Sequence, residues 1–340
     1  MEKILLAHGS GGRQSHDLIS GAILEAFGNS LLESLDDAAV LFGQTGGSRS
    51  PLVFTTDGYV VKPRFFPGGD IGKLAVCGTV NDIAVMGAEP LYLSCGFIIE
   101  EGLPADEFAR ILASMKSALD AANVKIVTGD TKVVEKGAAD GIFITTSGVG
   151  VLKMDPAPGM GSIRPGDEII VSGTLGDHGV TVMACREGLK FSVPVESDCA
   201  PLTELVRTAV DAGGQGSVHF MRDATRGGLA TVLNEIADGA KVGIEIDEES
   251  IPVSDGVQGL CELLGLDPLY VANEGKIALV VAKEKSAAIL EAMRAHPLGA
   301  RAARVGVVTE SHPGKAALKT AVGGSRIVDM LAGEQLPRIC

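Results

Sequence analysis

Apolar runs of strand length alternate with stretches of helical period along the whole chain. Runs of consecutive apolar residues bounded by Gly, Pro, Asn or Asp are typical of buried strands. Stretches with apolar residues three and four apart predict amphipathic helices. The predicted strands are 38–42, 52–58, 91–99, 124–127, 141–152, 168–172 and 304–309, and the predicted helices are 17–27, 77–88, 104–122, 180–186, 229–237 and 285–296. This alternation indicates a mixed α/β (α+β) protein.

A Pro- and Gly-rich stretch interrupts the alternation near the middle of the chain. Residues 154–161 read Met-Asp-Pro-Ala-Pro-Gly-Met-Gly, a composition typical of a linker. A chain of 340 residues is long enough for two domains of ordinary size. We therefore predict an N-terminal domain at 1–153, a C-terminal domain at 154–331 and a mobile tail at 332–340.

The tail ends in Leu-Pro-Arg-Ile-Cys, with Cys340 as the last residue. Gly333 supplies a flexible joint, and Pro337 stiffens the last residues into an extended arm. The Cys340 thiol can then enter and leave a pocket, as the end of a carrier arm does. Chain termini are also commonly frayed. From the residues alone, the tail is either an arm with a functional thiol or a disordered end.

Composition narrows the classes of partner. A net charge of −14 opposes binding to a nucleic-acid backbone, and the absence of Trp removes a usual base-stacking residue. No run reaches the ~18–20 apolar residues of a membrane span, and the N-terminus lacks the pattern of a signal peptide. The six cysteines are scattered without a Cys-x-x-Cys pair, as in proteins with reduced thiols. We expect a cytoplasmic protein with no nucleic-acid or membrane partner.

A glycine-rich stretch near the N-terminus is a candidate anion site. Gly9, Ser10, Gly11 and Gly12 precede the predicted helix 17–27. Consecutive glycines let backbone N–H groups approach a phosphate, and the positive end of a following helix adds to the attraction. The stretch lacks the Lys-Ser/Thr of a nucleotide-binding loop and the spacing of a dinucleotide fingerprint. It is therefore either a phosphate cradle or an ordinary turn.

Aspartates beside apolar runs are candidate ligands for a hard cation. Asp37 precedes the strand 38–42, and Asp57 closes the run 52–58. Asp82 lies in the predicted helix 77–88, and Asp130 ends a strand in Thr-Gly-Asp-Thr-Lys. One such aspartate is usually a turn former or a helix cap. Several of them indicate convergence on Mg²⁺, which prefers carboxylate oxygens and substrate phosphates.

Two polar stretches of the C-terminal half are further candidates. Asp223 precedes the helix 229–237 and is either its cap or a site residue. Arg226 and the glycines that follow it suit oxyanions at the start of that helix. Glu274, in Val-Ala-Asn-Glu-Gly-Lys, lies either in a tight hairpin turn or in a site.

Taken in this order, these stretches resemble the HypE family of hydrogenase maturation proteins over essentially the whole chain. That family lies within the superfamily of aminoimidazole ribonucleotide synthetase, selenophosphate synthetase and thiamine-monophosphate kinase. The motifs that carry the resemblance are His8-Gly9-Ser10-Gly11-Gly12, Phe65-Phe66-Pro67-Gly68-Gly69, Thr128-Gly129-Asp130-Thr131-Lys132, Arg222-Asp223-Ala224-Thr225-Arg226-Gly227-Gly228, Asn273-Glu274-Gly275-Lys276 and Pro337-Arg338-Ile339-Cys340. The aspartate motifs are common to the superfamily, whereas the tail is specific to this branch. Asp36-Asp37-Ala38-Ala39 departs from relatives that have Gly after the second acid, which leaves the roles of Asp36 and Asp37 less secure.

The resemblance implies a fold, a reaction and partners. It implies two α/β domains of the aminoimidazole ribonucleotide synthetase type, with N-terminal sheets paired in a homodimer and ATP with Mg²⁺ bound between the domains. In the family, the carbamoyltransferase HypF loads a carbamoyl group onto the terminal cysteine. ATP-dependent dehydration then gives a thiocyanate, and cyanide passes to iron on the HypC–HypD complex.

The resemblance also implies roles for individual residues. Cys340 would carry the S-carbamoyl group and then the S-cyano group. Glu274 is the candidate base for the carbamoyl N–H, but Lys132 is an alternative that the sequence leaves open. The nucleotide site would comprise Gly9, Ser10, Gly11, Gly12, Asp57, Asp82, Asp130, Asp223 and Arg226, and the metal ligands would be Asp37, Asp57, Asp82 and Asp130.

Two other functions remain compatible with parts of the sequence. One is a different ATP-dependent reaction of the superfamily, such as synthesis of selenophosphate or thiamine diphosphate. Those enzymes need no C-terminal thiol, and a selenophosphate synthetase usually has its reactive Cys near the N-terminus, whereas Cys77 is the first cysteine here. The other is a non-catalytic adaptor that docks partners through its tail. That function would not explain the acidic and glycine-rich motifs.

Overall fold

The computed structural model describes residues 3–9, 12–41, 51–189, 195–331, 336 and 338–340 and contains two large mixed sheets. The strands are β1 Ala39–Leu41, β2 Leu52–Tyr59, β3 Phe65–Phe66, β4 Gly69–Asp70, β5 Ala88–Glu100, β6 Lys125–Val134, β7 Ile142–Leu152, β8 Glu168–Val171, β9 Val218–Asp223, β10 Gly243–Asp247, β11 Ile277–Val281, β12 Ala303–Thr309, β13 Lys315–Lys319 and β14 Ser325–Val328. The helices are α1 Arg13–Leu18, α2 Leu24–Phe27, α3 Ile71–Val85, α4 Ala105–Ala122, α5 Asp177–Arg186, α6 Thr203–Gly213, α7 Gly228–Ala240, α8 Asp255–Leu264 and α9 Lys283–Ala295. No helix in these ranges is both long and apolar enough to cross a membrane.

The N-terminal sheet has the order β1-β2-β7-β5-β6 and is covered by helices on one face. Buried and exposed residues alternate along β2, as a sheet with one covered face requires. Its inward residues, such as Val53 and Leu93, pack on α3. Its open face exposes large apolar side chains, among them Phe54, Tyr92 and Ile98. The parallel edge strand β6 is exposed along nearly its whole length.

Helix α3 lies between the two halves of the molecule. Almost every residue of α3 is buried, as expected for a helix that is apolar all round. The Asp70 side chain caps it by accepting hydrogen bonds from the backbone N–H groups of Gly72 (2.7 Å) and Lys73 (3.1 Å). A β-carbon on Gly78 would collide with the Tyr59 hydroxyl, so this glycine permits the close approach of α3 to β2.

The C-terminal sheet has the order β14-β13-β10-β12-β8-β11-β9 and is covered on both faces. Every residue of β8 and β11 is buried, which explains why these strands are continuous apolar runs rather than alternating ones. Alternate residues pack on opposite layers. Ile169 lies in the core with α7, whereas Ile170 lies in the core with α6 and α9.

Three sequence predictions need correction. Asp57 lies inside β2 rather than at its end, and the predicted helix 17–27 is divided into α1, a π-helical turn at Ile19–Ile23, and α2. Asp130 lies in the middle of β6. The strand continues beyond Gly129 because the thirteen-residue β5 supplies backbone partners as far as Val134.

Candidate active site

Four aspartates from separate segments converge where the two halves of the molecule meet. Asp57 comes from β2, Asp82 from the last turn of α3 and Asp223 from the end of β9. Asp37 joins them through Thr55, whose hydroxyl lies 3.0 Å from the Asp37 carbonyl oxygen and 2.9 Å from Asp82 Oδ2. We call Asp37, Asp57, Asp82 and Asp223 the acid cluster. Of the aspartates predicted to converge, Asp37, Asp57 and Asp82 lie together, and Asp223 joins them in place of Asp130.

The acid cluster is electrostatically unfavourable in the protein alone. Burial raises the pKa of Asp82 well above its ordinary value, and the carboxylates of Asp57, Asp223 and Asp37 raise it further. Burial and the charges of Asp37 and Asp57 likewise raise the pKa of Asp223. The pKa of Asp57 is raised by burial, although hydrogen bonds from Asp82 and from Thr79 (3.2 Å) oppose the shift. A cation or a set of hydrogen-bond donors would relieve this repulsion.

Arg222 is the buried cation beside the acid cluster. Its guanidinium forms ion pairs with Asp37 (2.9 Å) and Glu235 (2.6 Å) and donates a hydrogen bond to the Leu35 carbonyl oxygen (2.9 Å). Burial nevertheless raises the pKa of Asp37 to about 6, against the attraction of Arg222. Arg222 therefore holds Asp37 in place while only partly offsetting the negative charge.

Glu274 lies in a buried turn before β11. Its side chain is 3% exposed, and its Oε1 atom has no hydrogen-bond partner among the described residues. Burial raises the pKa of Glu274 well above its ordinary value, with contributions from Asp223 and Asp198, while Arg226 opposes the shift. A buried oxygen without a partner is costly, so this atom is ready to accept a proton or a donor group of a ligand.

The Cys340 thiol lies in the same region. Arg226 donates a hydrogen bond to Cys340 Sγ (2.6 Å) and another to the Gly9 carbonyl oxygen. Burial raises the pKa of Cys340 to about 11, even though Arg226 favours the thiolate. Glu274 is close enough to raise the pKa of Cys340 further. The docked thiol is therefore protonated at neutral pH.

The end of the tail runs antiparallel to residues 60–62, the segment that follows β2. The Val60 N–H donates to the Cys340 carbonyl oxygen (3.1 Å), and the Lys62 N–H donates to the Arg338 carbonyl oxygen (3.2 Å). The Arg338 side chain donates to the Val60 carbonyl oxygen (2.8 Å) and pairs with Asp140 (2.6 Å). These contacts set the distance that Cys340 reaches into the site.

Helix α5 holds the other side of the tail. His178 Nε2 lies 2.8 Å from the Ile339 carbonyl oxygen, and Arg186 donates to the Arg338 carbonyl oxygen (3.0 Å). Burial lowers the pKa of His178, so the ring is neutral, with Nε2 as donor and Nδ1 accepting from the Ser197 hydroxyl (2.8 Å). Val182, between them on the same helix face, shares a core with the buried Ile339.

Comparison with known proteins places this arrangement in a family. The N-terminal domain model of AIR synthase related proteins matches residues 35–152, and the C-terminal domain model matches residues 164–319. The carbamoyl dehydratase HypE of Bradyrhizobium diazoefficiens is 54% identical over 335 residues, covering 98% of this chain and 95% of that protein. The chain belongs to the HypE family. The family and the fold expected from the sequence are thus confirmed.

Two solved HypE structures resemble the whole fold. HypE in complex with ATP superposes with a TM-score of 0.82 at 49% identity, covering 99% of this chain and all of that one. HypE in a HypE–HypF complex gives a TM-score of 0.87 at 46% identity, covering 92% and 99%.

Two predicted site residues lie apart from the acid cluster in this HypE-family chain. Asp130 and Lys132 form an exposed ion pair (2.6 Å) on β6, where hydrogen bonds from Lys132 and the Thr131 N–H lower the pKa of Asp130. Three strand steps separate β6 from β2, which corresponds to about 14 Å across the sheet. Among the described residues, no hydrogen bond or ion pair joins Asp130 or Lys132 to Glu274 or Asp82.

The glycine-rich stretch is only partly described. Ser10 and Gly11 lie outside the described residues. Gly9 ends a 3-10 turn at Leu6–Gly9, and its carbonyl oxygen accepts from Arg226. Gly12 precedes α1, where a β-carbon would collide with the Leu331 carbonyl oxygen. Close packing therefore explains Gly12 without a phosphate.

Neither Asp223 nor Glu274 has the alternative structural role that the sequence left open. Asp223 does not cap α7, because Gly227 occupies the cap position without a side-chain hydrogen bond. The turn that contains Glu274 is buried and leads into β11 rather than forming a hairpin.

Sequence reasoning missed several residues that hold these groups. Arg222 and His178 lay in inspected motifs without being given a role, and Asp198 and Arg186 were not singled out. Arg222 directly precedes Asp223 in a buried strand. A buried Arg almost always has an ionic partner, so its position in an apolar strand could have predicted an ion pair there. Nothing local distinguishes Asp198, because its partners lie 76 to 78 positions away.

Proposed function

We propose that this chain uses ATP to dehydrate a carbamoyl group on its own Cys340 to a thiocyanate. The product would supply cyanide ligands for the iron of [NiFe] hydrogenase. The observation that supports this most directly is the docked Cys340, which accepts a hydrogen bond from Arg226 beside a buried Glu274 oxygen that has no partner within the described part of the chain. Relatives over nearly the full length bear the name carbamoyl dehydratase.

The reaction requires the carbamoyl group to lose one oxygen and two protons. The carbamoyl oxygen is a poor leaving group, so it first accepts the γ-phosphoryl group of ATP. One proton leaves the nitrogen as the C=N bond forms. The C–O bond then breaks, phosphate departs, and the second proton is lost as R–S–C≡N forms. A base beside the nitrogen and a cation beside the oxygen are therefore needed.

Glu274 is the candidate base, and Arg226 the candidate cation. A carboxylate with a raised pKa is a more effective proton acceptor at neutral pH than an ordinary one. Arg226, which bonds the thiol in the unloaded state, is placed to hold the sulfur or the oxygen of the loaded group. Lys132 remains the alternative base and would have to come from a second subunit.

The acid cluster is the candidate site for Mg²⁺ and the phosphates of ATP. Among the described residues, no three His, Cys, Asp or Glu side chains are grouped so as to hold a metal by themselves. Mg²⁺ usually binds one or two carboxylates together with phosphate oxygens and waters, so the repelling acids Asp57 and Asp82 fit it. Bound there, Mg²⁺ would offset the charge of the phosphate chain.

The proposed partners follow from the reaction and from the relatives. A carbamoyltransferase of the HypF type would load Cys340, and a relative has been solved in a HypE–HypF complex. A HypC–HypD complex would accept the cyanide. A homodimer through the exposed edge β6 would bring Asp130 and Lys132 of one subunit toward its partner.

Mass spectrometry of the intact protein tests the proposal. After incubation with HypF, carbamoyl phosphate and ATP, we expect the cyano adduct on the wild type and none on Cys340→Ala, with Cys185→Ala as a matched control that behaves like the wild type. Glu274→Gln should accumulate the carbamoyl adduct, with dehydration slowed by about 10²-fold or more. A cyano adduct on another cysteine would refute the role of Cys340, and normal dehydration by Glu274→Gln would refute the role of the base.

A further inference from the structure

Asp198 binds three consecutive residues of the turn that contains Glu274. Its Oδ1 accepts the Glu274 N–H (3.1 Å), and its Oδ2 accepts the Gly275 N–H (3.2 Å) and the Lys276 ammonium (3.0 Å). The Asp198 side chain is 3% exposed, so water does not compete for these bonds. One buried carboxylate thus fixes the backbone of this turn.

The contact between the two segments is close at the backbone as well. A β-carbon on Gly275 would collide with the Asp198 carbonyl oxygen. From helix α3, the Asn81 side chain donates to the Glu274 carbonyl oxygen (3.4 Å) and to the Ala200 carbonyl oxygen (3.1 Å). The backbone of Glu274 is therefore held on both sides, while its Oε1 has no partner in the described part of the chain.

Asp198 remains charged in this position. Burial alone would raise its pKa, but the Lys276 ammonium and the backbone N–H of Glu274 lower it below the ordinary value. Asp198 therefore accepts all three hydrogen bonds as a carboxylate, and charge-assisted bonds are the stronger kind.

We propose that Asp198 is a positioning residue that aims the Glu274 carboxyl at the group carried by Cys340. It does so through the Glu274 and Gly275 amides and the Lys276 ammonium, without touching the reacting group. This inference rests on the proposed function, because it assigns a reason for the placement of the proposed base. A misplacement of about 1 Å at a catalytic group costs up to about 10²-fold in rate.

Asp198→Asn is the informative substitution. The side-chain amide keeps one acceptor oxygen and turns an NH₂ group toward the Gly275 N–H and Lys276. In single turnovers of carbamoylated protein with ATP, we expect the maximal rate of water loss to fall about tenfold to a hundredfold. The ATP concentration at half-maximal rate should stay within about twofold, since Asp198 contacts none of the acid cluster. Hydrogen exchange of the Glu274 and Gly275 amides should be faster.

A matched control is Asp167→Asn. Asp167 is also buried in the C-terminal half, and it accepts the Arg164 N–H (2.7 Å) and His219 Nδ1 (2.7 Å) far from the turn. We expect wild-type dehydration and wild-type exchange at Glu274 in this variant. Equal loss of rate in both variants would overturn the proposal, because the effect would then be general destabilisation.

A double-mutant cycle separates positioning from an independent structural role. In a Glu274→Gln background, Asp198→Asn should cause less than about a twofold further loss, because the residue it positions is already absent. Losses that multiply would overturn the inference, as would a wild-type rate in Asp198→Asn. If Asp198→Asn fails to fold, Asp198→Asn/Lys276→Gln removes the unpaired lysine and takes its place in the same cycle. If the wild type itself loses no water with ATP, the proposed function fails instead.

Discussion

At the scale of single residues, the molecule buries several carboxyl groups of the acid cluster close to one another. Asp57 raises the pKa of both Asp82 and Asp223, and Arg222, which forms an ion pair with Asp37, only partly opposes the shift at Asp223. Groups arranged in this way lower stability and are typical of functional sites. The cost falls when a ligand brings positive charge or hydrogen-bond donors.

The pKa shift of Asp82 predicts how stability depends on pH. The folded protein holds the Asp82 proton above the ordinary pKa of 3.8, so it binds more protons than the unfolded chain, and this contribution destabilises the fold as pH rises. Asp82→Asn removes it. We expect equal stability of variant and wild type near pH 4 and a more stable variant at pH 7–8, by on the order of 1–2 kcal/mol. Urea unfolding at several pH values measures the difference.

Asp140→Asn is the control with the opposite sign. Hydrogen bonds from Lys62 and Arg338 lower the pKa of Asp140 to about 2, so this carboxylate stabilises the fold above its ordinary pKa and loses that effect as pH falls toward 2. Asp140→Asn should therefore be less stable than the wild type at pH 7, with the difference shrinking in acid. A gap between Asp82→Asn and wild type that narrows as pH rises would contradict the assignment.

At the scale of elements, the segment that follows β2 and the helix α5 define the position of the tail. Residues 60–62 supply backbone partners, and the face of α5 with His178, Val182 and Arg186, spaced four residues apart, supplies the rest. The backbone carbonyls of Arg338 and Ile339 are both bound. The docked position is thus specified mostly by the main chain and by the buried Ile339 side chain.

Removal of the His178 hydrogen bond should loosen the docked tail. His178→Leu leaves the Ile339 carbonyl oxygen without a donor, at a cost of about 1–2 kcal/mol, which corresponds to about tenfold more undocked tail. The rate at which iodoacetamide alkylates Cys340 should rise accordingly, while the exposed Cys185 serves as an internal reference. His219→Leu is the matched control, since His219 pairs with Asp167 away from the tail. Unchanged alkylation in a folded His178→Leu protein would contradict this role of α5.

Patterns along the sequence predict most elements but not their contacts. Apolar runs located β5, β7, β8 and β12, because a strand that is buried on one or both faces needs apolar residues at the buried positions. The extent of β6 was missed because Gly129 suggested a turn. In the structure, β6 pairs with β5 through a bulge, and the close approach to Cys95 requires a glycine.

At the scale of the whole molecule, the N-terminal sheet has an exposed edge strand and one face that no helix covers. Its edge strand β6 exposes Val133 (67%), and its open face exposes Phe54 (45%) and Tyr92 (47%). Such an edge is a template for pairing with another chain. The sequence placed Asp130 and Lys132 in the site, whereas in the described residues they pair with each other on β6, so a contribution from a second subunit remains a prediction.

The proposed homodimer can be tested at this edge. Val133→Asp should weaken dimerisation by about tenfold or more, since burying an unpaired charge costs well over 1.4 kcal/mol. Val322→Asp is the control, because Val322 is 95% exposed in the C-terminal half. Sedimentation equilibrium should show a shift toward monomer for the first variant alone. Equal association of both variants would place the interface elsewhere.

The contact between Gly12 and Leu331 sets the reach of the terminal thiol. The Leu331 carbonyl oxygen accepts the Arg13 N–H (2.9 Å), which ties the chain to the body immediately before the tail. Nine Cα–Cα steps separate Leu331 from Cys340, and a fully extended chain of that length spans about 30 Å. In the proposed reaction, a loading enzyme would have to bring its own active centre within about 30 Å of Leu331. A tether of this length gives an effective local concentration of the thiol at its own site in the millimolar range, so a loaded Cys340 would need no strong affinity to dock again.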